Sequence, residues 1–221
     1  MTLSAEDNST PKPNILVLGA TGGTGRLIVR DALVRGHQVT ALVRSPEKAG
    51  DLQGAQLIVG DARDEASLRK ALKGQDAVIS SLGTSLSPFR EVTTLSTSTR
   101  ALVKAMKAEN VARLVAITGI GAGDSRGHGG FVYDRLILPL LLRNVYADKD
   151  RQEAIIRDSA LDWVIVRPAM LNDKPGGQTV RALTDLSNFH GGTIARADVA
   201  RFVVNQVSDD SFLRRAPLVT W

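Results

Sequence analysis

The chain has 221 residues, with 43% apolar and 23% charged side chains, a length and composition that suit one sizeable α/β core and argue against disorder. It contains no cysteine, which excludes a disulfide framework, a thiolate nucleophile, a cysteine-ligated zinc and an iron–sulfur cluster. The net charge of +5 favours anionic partners, of which nucleic acid is one and a phosphorylated cofactor another. Three scattered histidines, His37, His128 and His190, suggest no metal site.

In chain order, residues 1–13 are polar with two prolines and read as a flexible tail without a signal-peptide core. Residues 14–221 read as one domain. Asn14 to Gly19 is a buried-strand run. Thr24 to Arg35 carries an apolar stripe and ends before Gly36, the expected C-terminal cap. Strands are expected at Gln38–Val43, Gln56–Val59, Ala77–Ser80, Arg113–Thr118 and Trp163–Val166. Helices are expected at Glu65–Leu72, Thr93–Asn110 and Asp148–Ser159. Leu136 to Leu142 is the most apolar run, broken by Pro139 and far below the roughly 20 residues of a membrane span. It reads as a self-association surface or a buried helix. A soluble, cytoplasmic protein without a membrane partner follows.

Strands that are apolar throughout, alternating with helices, imply an α/β fold: a single-domain, Rossmann-type, doubly wound parallel sheet. Ligands bind such sheets at the carboxyl edge. The Gly-rich stretch Gly119 to Gly130 follows the fifth strand and belongs to that edge.

The first strand runs into Gly19-Ala20-Thr21-Gly22-Gly23-Thr24-Gly25. Glycines at 19, 22 and 25 between a strand and a helix suit a turn that lets backbone approach a pyrophosphate at a helix N-terminus. The second strand ends in Arg44-Ser45-Pro46-Glu47-Lys48, where an NAD site commonly carries an acid. Arg44 suits a 2′-phosphate, with Ser45 as a hydroxyl donor and Lys48 as added charge, so NADP(H) is expected over NAD(H). A dinucleotide explains the +5 charge better than nucleic acid does, and no nucleic-acid partner is expected. Asp61-Ala62 closes the third strand, with Asp61 able to accept from an adenine amine. Ser81-Leu82-Gly83-Thr84 closes the fourth with small side chains beside a ribose.

The motifs GATGGTG (19–25), LVRSPEK (42–48), VGDARD (59–64), GQDAVISSLGT (74–84), AMKAENVARLVAIT (105–118), DWVIVRPAMLNDKP (162–175) and ARADVARFVV (195–204) together resemble the atypical short-chain dehydrogenase/reductases. The likeness is to their NAD(P)H-binding, NmrA-like branch, nearest its biliverdin-IXβ reductase and flavin reductase members. It implies a Rossmann domain that binds NADPH and reduces a planar acceptor: a flavin (FMN or FAD), a quinone or a linear tetrapyrrole. By position it places Thr21, Gly22, Thr24, Arg44, Lys48, Asp61, Ala62, Leu82 and Gly83 on the cofactor. Thr118, Pro168 and Ala169 fall by the nicotinamide, and Lys149 by its ribose. Gly119 and Met170 stand where those members carry a serine and a histidine, which argues against biliverdin itself.

Short-chain dehydrogenases that act on alcohols use Tyr-x-x-x-Lys. Neither tyrosine here has it: Ile137 follows Tyr133 by four residues and Asp150 follows Tyr146. Lys149 lies three after Tyr146, about 100° out of register on a helix. The catalytic residue is therefore unknown, with Thr118 and Lys149 as candidates. Lys149 and Glu153 read equally well as a surface i,i+4 pair. Thr84, Phe89, Phe131 and Met170 are possible pocket walls, with Phe131 better explained as core. A second function class is a non-catalytic NADP(H)-binding redox sensor of the NmrA type. A nucleotide-sugar epimerase is disfavoured by the missing dyad and short C-terminal region. The natural acceptor and oligomeric state stay open.

Overall fold

The computed structural model describes residues 12–221, so the expected tail lies outside the described residues except for Lys12 and Pro13. Six strands run parallel in the order 3-2-1-4-5-6: β1 (Asn14–Leu18), β2 (Gln38–Val43), β3 (Gln56–Val59), β4 (Ala77–Ser80), β5 (Arg113–Ile117) and β6 (Asp162–Pro168). The sheet continues through β10 (Leu218–Thr220), parallel to β6, to β8 (Arg181–Leu183), which is antiparallel to β10. A separate parallel pair joins β7 (Met170–Asn172) to β9 (Thr193–Ala195). The uniformly parallel sheet expected from sequence thus gains an antiparallel edge, an arrangement common in doubly wound sheets.

Both faces of the central strand β1 are buried, its successive residues pointing into cores on opposite sides of the sheet. Ile15 and Val17 join one core with helices α1 (Gly23–Val34) and α5 (Arg196–Asn205). Leu16 and Leu18 join the other, under α2 (Glu65–Leu72), α3 (Thr94–Ala108) and α4 (Arg143–Arg157). α1 ends as its sequence indicates: Gly36, at φ +84°, lets its own N–H reach the Leu33 carbonyl and that of His37 reach Ala32.

α4 begins at Arg143, five residues before the expected start, because a π-helical segment at Tyr133–Leu142 runs straight into it, with Pro139 inside. That segment is not a buried helix. Only Leu138 is buried, while Leu136, Leu140 and Leu141 are exposed. Phe131 is not core either, being 78% exposed. It leaves the Gly-rich loop where no layer covers it, so the general tendency of aromatics to bury finds nothing to bury against. The loop itself docks on residues 189–191: Gly191 N–H donates to the His128 carbonyl at 2.7 Å, and His128 Nδ1 lies 2.9 Å from the Phe189 carbonyl.

Candidate functional site

The carboxyl ends of β1 to β4 enclose an open cleft of about 410 Å³. Thr21 and Gly22 form its floor beside Gly19. Gly19, at φ +76°, turns the chain so that any Cβ would stand 2.5 Å from the Ser81 carbonyl oxygen. A Cβ on Gly25 would sit 2.1 Å from the Gly19 carbonyl oxygen, so glycine there lets α1 press against the turn. α1 has Gly22 at its N-cap, no side-chain cap and no acid in its first turn. Its first amides therefore face the cleft edge free to meet an anion.

The starts of α2 and α3, beside the same cleft, are closed. The side chain of Asp64 caps α2. The fully buried Asp148 of α4 reaches across to α3, accepting from Leu95 N–H at 2.8 Å and Ser96 N–H at 3.4 Å. Thr94 and Ser98 of α3 line the cleft, but the helix end is taken by that carboxylate.

Arg44 lines the cleft from the end of β2 and is exposed. Asp61 and Ala62 line it from the end of β3, with Arg63 beside them. Arg63 grips the Asp61 carboxylate through its backbone N–H at 2.8 Å and its guanidinium at 2.6 Å, and the carboxyl is held down to about 2, chiefly by that side-chain bond. Leu82, Gly83 and Thr84 complete the wall from β4. The cleft thus offers what a dinucleotide needs: an uncapped helix start, a turn without side chains, and two guanidinium groups at the rim.

Ser45 and Lys48 lie outside the cleft lining; their 3-10 turn instead braces the glycine turn. Arg26 Nε donates to the Thr21 carbonyl at 3.0 Å, Nη2 donates to the Lys48 carbonyl at 2.8 Å, and Nη1 pairs with Asp51. Gly23 and Thr24 sit in the first turn of α1, also outside the lining.

The ends of β5 and β6 are tied by a buried ionic cluster. Glu153, 2% exposed, accepts from Thr118 Oγ1 at 2.8 Å and from Arg167 at 3.0 Å (Nε) and 2.5 Å (Nη2). Arg167, 1% exposed, also pairs with Asp124. Glu153 is therefore not the surface partner of Lys149. Lys149 Nζ donates to the Thr118 carbonyl at 2.7 Å instead, and burial pushes its ammonium down to about 8. Thr118 is itself buried, with its hydroxyl donated to Glu153. Pro168 and Ala169 are buried beside it.

Tyr146 and Lys149 converge despite their three-residue spacing, since i and i+3 are neighbours on a helix. A Cβ placed on Gly119 would be 3.2 Å from Lys149 Nζ and 3.3 Å from the Tyr146 hydroxyl. Lys149 Nζ lies 4.6 Å from the Tyr146 ring centre, and the Tyr133 hydroxyl is 2.6 Å from that of Tyr146. Burial pushes the Tyr146 phenol above its ordinary value, so it stays protonated.

Residues 19–210 match the NAD(P)H-binding family. The chain belongs to that family. Its sequence is 28% identical over 208 residues to the "uncharacterized sugar epimerase YhfK" of Bacillus subtilis, covering 91% of each chain. Its fold is similar to the anaerobilin reductase ChuY of Escherichia coli O157:H7, with TM-score 0.79, 22% identity, and 94% and 96% of the two chains covered. It is also similar to a Veillonella parvula short-chain dehydrogenase/reductase in complex with NADP, with TM-score 0.76, 17% identity, and 96% and 95% covered.

In this NAD(P)H-binding protein only part of the sequence-indicated set meets at the cleft. Gly19, Thr21, Gly22, Arg44, Asp61, Ala62, Leu82, Gly83 and Thr84 share one cleft. Phe89, Phe131 and Met170 do not line it: they are 96%, 78% and 44% exposed, in the segments that follow β4, β5 and β6, with Met170 opening β7. Sequence reading missed Arg63, the Glu153–Arg167 pair and the Asp148 cap. An arginine closing the apolar run Val164-Ile165-Val166 was the available signal for the second, because a charge there must find a partner.

Proposed function

We propose that this protein is an NADPH-dependent reductase that passes hydride to a planar acceptor: a flavin such as FMN or FAD, a quinone or a tetrapyrrole. The observation that carries the preference for NADPH is Arg44. Its exposed guanidinium stands at the end of β2, where a ribose diol would otherwise call for a carboxylate. When bound, the dinucleotide supplies the hydride. The turn of Gly19, Thr21 and Gly22 holds its phosphates, Asp61 and Ala62 the adenine, Leu82 and Gly83 the neighbouring ribose, and Ser45 and Lys48 brace the loop under Arg44. Gly23, Thr24 and Gly25 shape the helix start.

At the other end Thr118, Lys149, Pro168 and Ala169 frame the nicotinamide side. Lys149 holds an ammonium at neutral pH, and Thr118 serves as its backbone anchor rather than as an acid or base. No Tyr-x-x-x-Lys pair is needed, because a planar acceptor takes hydride by ring stacking and its proton can come from solvent. Exposed Phe89, Phe131 and Met170 offer an apolar approach for such a ring.

The test is titration with NADPH and NADH, followed by turnover with FMN, FAD, quinones and biliverdin at the nicotinamide absorbance band. NADPH should bind more tightly, and Arg44→Ala should remove about tenfold or more of that preference, as expected for a lost charge-assisted phosphate contact. Equal affinity for the two dinucleotides in the wild type refutes the role of Arg44. The second reading is a non-catalytic NADP(H)-binding redox sensor. It is favoured by the engagement of Thr118 and Tyr146 inside the protein, and tight NADPH binding without turnover of any acceptor selects it.

A further inference from the structure

We propose that Arg196 is a second anion contact of this site, closing over the diphosphate of the dinucleotide, and that Asp173 occupies it beforehand as an exchangeable partner. The inference rests on the dinucleotide reading above.

β7 and β9 form their own two-stranded sheet just past the end of β6, and the chain leaves β9 directly into α5 with Arg196 as its first helical residue. α5 packs along α1, which brings the two helix starts together. The contact is direct. A Cβ on Gly23 would lie 3.4 Å from Arg196 Cδ and 3.5 Å from its Nε. The stem of Arg196 therefore crosses the outward face of the glycine turn, next to the uncapped amides of α1.

The guanidinium is available. Arg26, the other arginine on this turn, spends Nε, Nη1 and Nη2 on the Thr21 carbonyl, Asp51 and the Lys48 carbonyl. Among the described residues Arg196 has one polar partner, Asp173, with Nη1 to Oδ1 at 2.6 Å. The Asp173 side chain is 85% exposed and that of Arg196 29% exposed. A pair that wet is weak and screened by salt. A diphosphate held against the amides of α1 presents two charges and several acceptor oxygens to the same fork, so it displaces a single solvated carboxylate. Arg44 works elsewhere, at the end of β2, and reads only the 2′-phosphate. Arg196 faces a group that NADPH and NADH share.

The experiment measures dissociation constants of NADPH and NADH by nicotinamide fluorescence for the wild type, Arg196→Ala, Arg196→Lys and Asp173→Asn. Thermal melting checks that each variant is folded. Arg196→Ala should weaken both dinucleotides by about tenfold and equally, and Arg196→Lys by less, since the charge survives without the fork. Asp173→Asn keeps the arginine and should tighten both by about two- to fivefold. An Arg196→Ala change within twofold for both, or one confined to NADPH, overturns the inference while the dinucleotide reading stands. Failure of the wild type to bind either dinucleotide overturns the reading and the inference with it.

Discussion

Removing Arg167 tests what holds the carboxyl ends of β5 and β6 in place. Arg167→Met keeps the volume of a long unbranched side chain but strips Glu153 of its two guanidinium bonds. Glu153, 2% exposed, is left with the Thr118 hydroxyl and with Arg157, whose Nη2 is 3.8 Å away. Asp124 also loses a partner, but its side chain is 74% exposed and water replaces the loss. Breaking a buried pair from one side costs about 3–5 kcal/mol. At about 2–4 °C per kcal/mol for a chain of this size, the melting temperature should fall by about 6–20 °C.

The double variant Arg167→Met/Glu153→Leu separates a lost bond from an abandoned charge. With both charges gone the site is apolar, and only the Thr118 hydroxyl lacks a partner, a cost of about 1–3 kcal/mol. The double variant should therefore melt above Arg167→Met, with a coupling of about 2 kcal/mol or more in a double-mutant cycle. Gly123 limits the repair: a Cβ there would meet Arg167 and Glu153, so the backbone is already in contact with the pair and a methionine has room only where the guanidinium lay. Calorimetric or fluorescence melts of the four proteins suffice. An Arg167→Met change below about 1 kcal/mol, or a double variant no better than the sum of its parts, shows that the cluster is not an electrostatic unit.

Two more outcomes follow from named contacts. Gly25→Ala places its methyl on the Gly19 backbone, which cannot yield as a flexible side chain would, so the variant should lose at least about 2 kcal/mol of stability in urea titrations and most NADPH binding; an unchanged midpoint would remove the packing argument. Lys149 has its folded pKa lowered to about 8 from 10.5, so between these values the folded protein binds fewer protons than the unfolded chain and stability rises with pH, the penalty being full below 8. Relative to wild type, Lys149→Met should be stabilised most at neutral pH and lose that advantage toward pH 10.5, as read from melting temperatures across the range; a pH-independent difference contradicts the assignment.

The parts of the fold that were legible are those with long or chemically restricted signals. Apolar runs such as Ile15 to Leu18 must be covered on both sides, and that requirement alone selects a parallel sheet between helix layers. The glycine turn was legible because Gly19 and Gly25 each meet a geometric need. β7 to β10 were not, since three residues cannot display a period. The Glu153–Arg167 pair joins α4 to β6 and the Asp148 cap joins α4 to α3. Arg167 stands out in its apolar strand as a charge in need of a partner, but its segment does not say which, and only the packing of α4 against the sheet and α3 unites the partners. The i,i+4 spacing of Lys149 and Glu153 fits a surface pair as well as a ribose contact for Lys149, and spacing is blind to the better partner for Glu153 that arrives from β6.

The distribution of caps explains where an anion can go. α1, α2 and α3 begin beside the cleft, and each start would attract a phosphate if left open. Asp64 closes α2 and Asp148 closes α3, each placing a negative charge where a phosphate would otherwise compete. α1 alone starts with a glycine that has no side chain to offer. The same logic extends to the cations. Arg26 and Arg167 are locked in bonds to backbone or buried carboxylate. Arg63 is shared with Asp61. Arg44 and Arg196 keep the freer guanidinium groups, one past β2 and one over the glycine turn. A molecule that spans them must carry negative charge at both points. On the proposed reading, an extended dinucleotide with phosphate at both points meets that requirement.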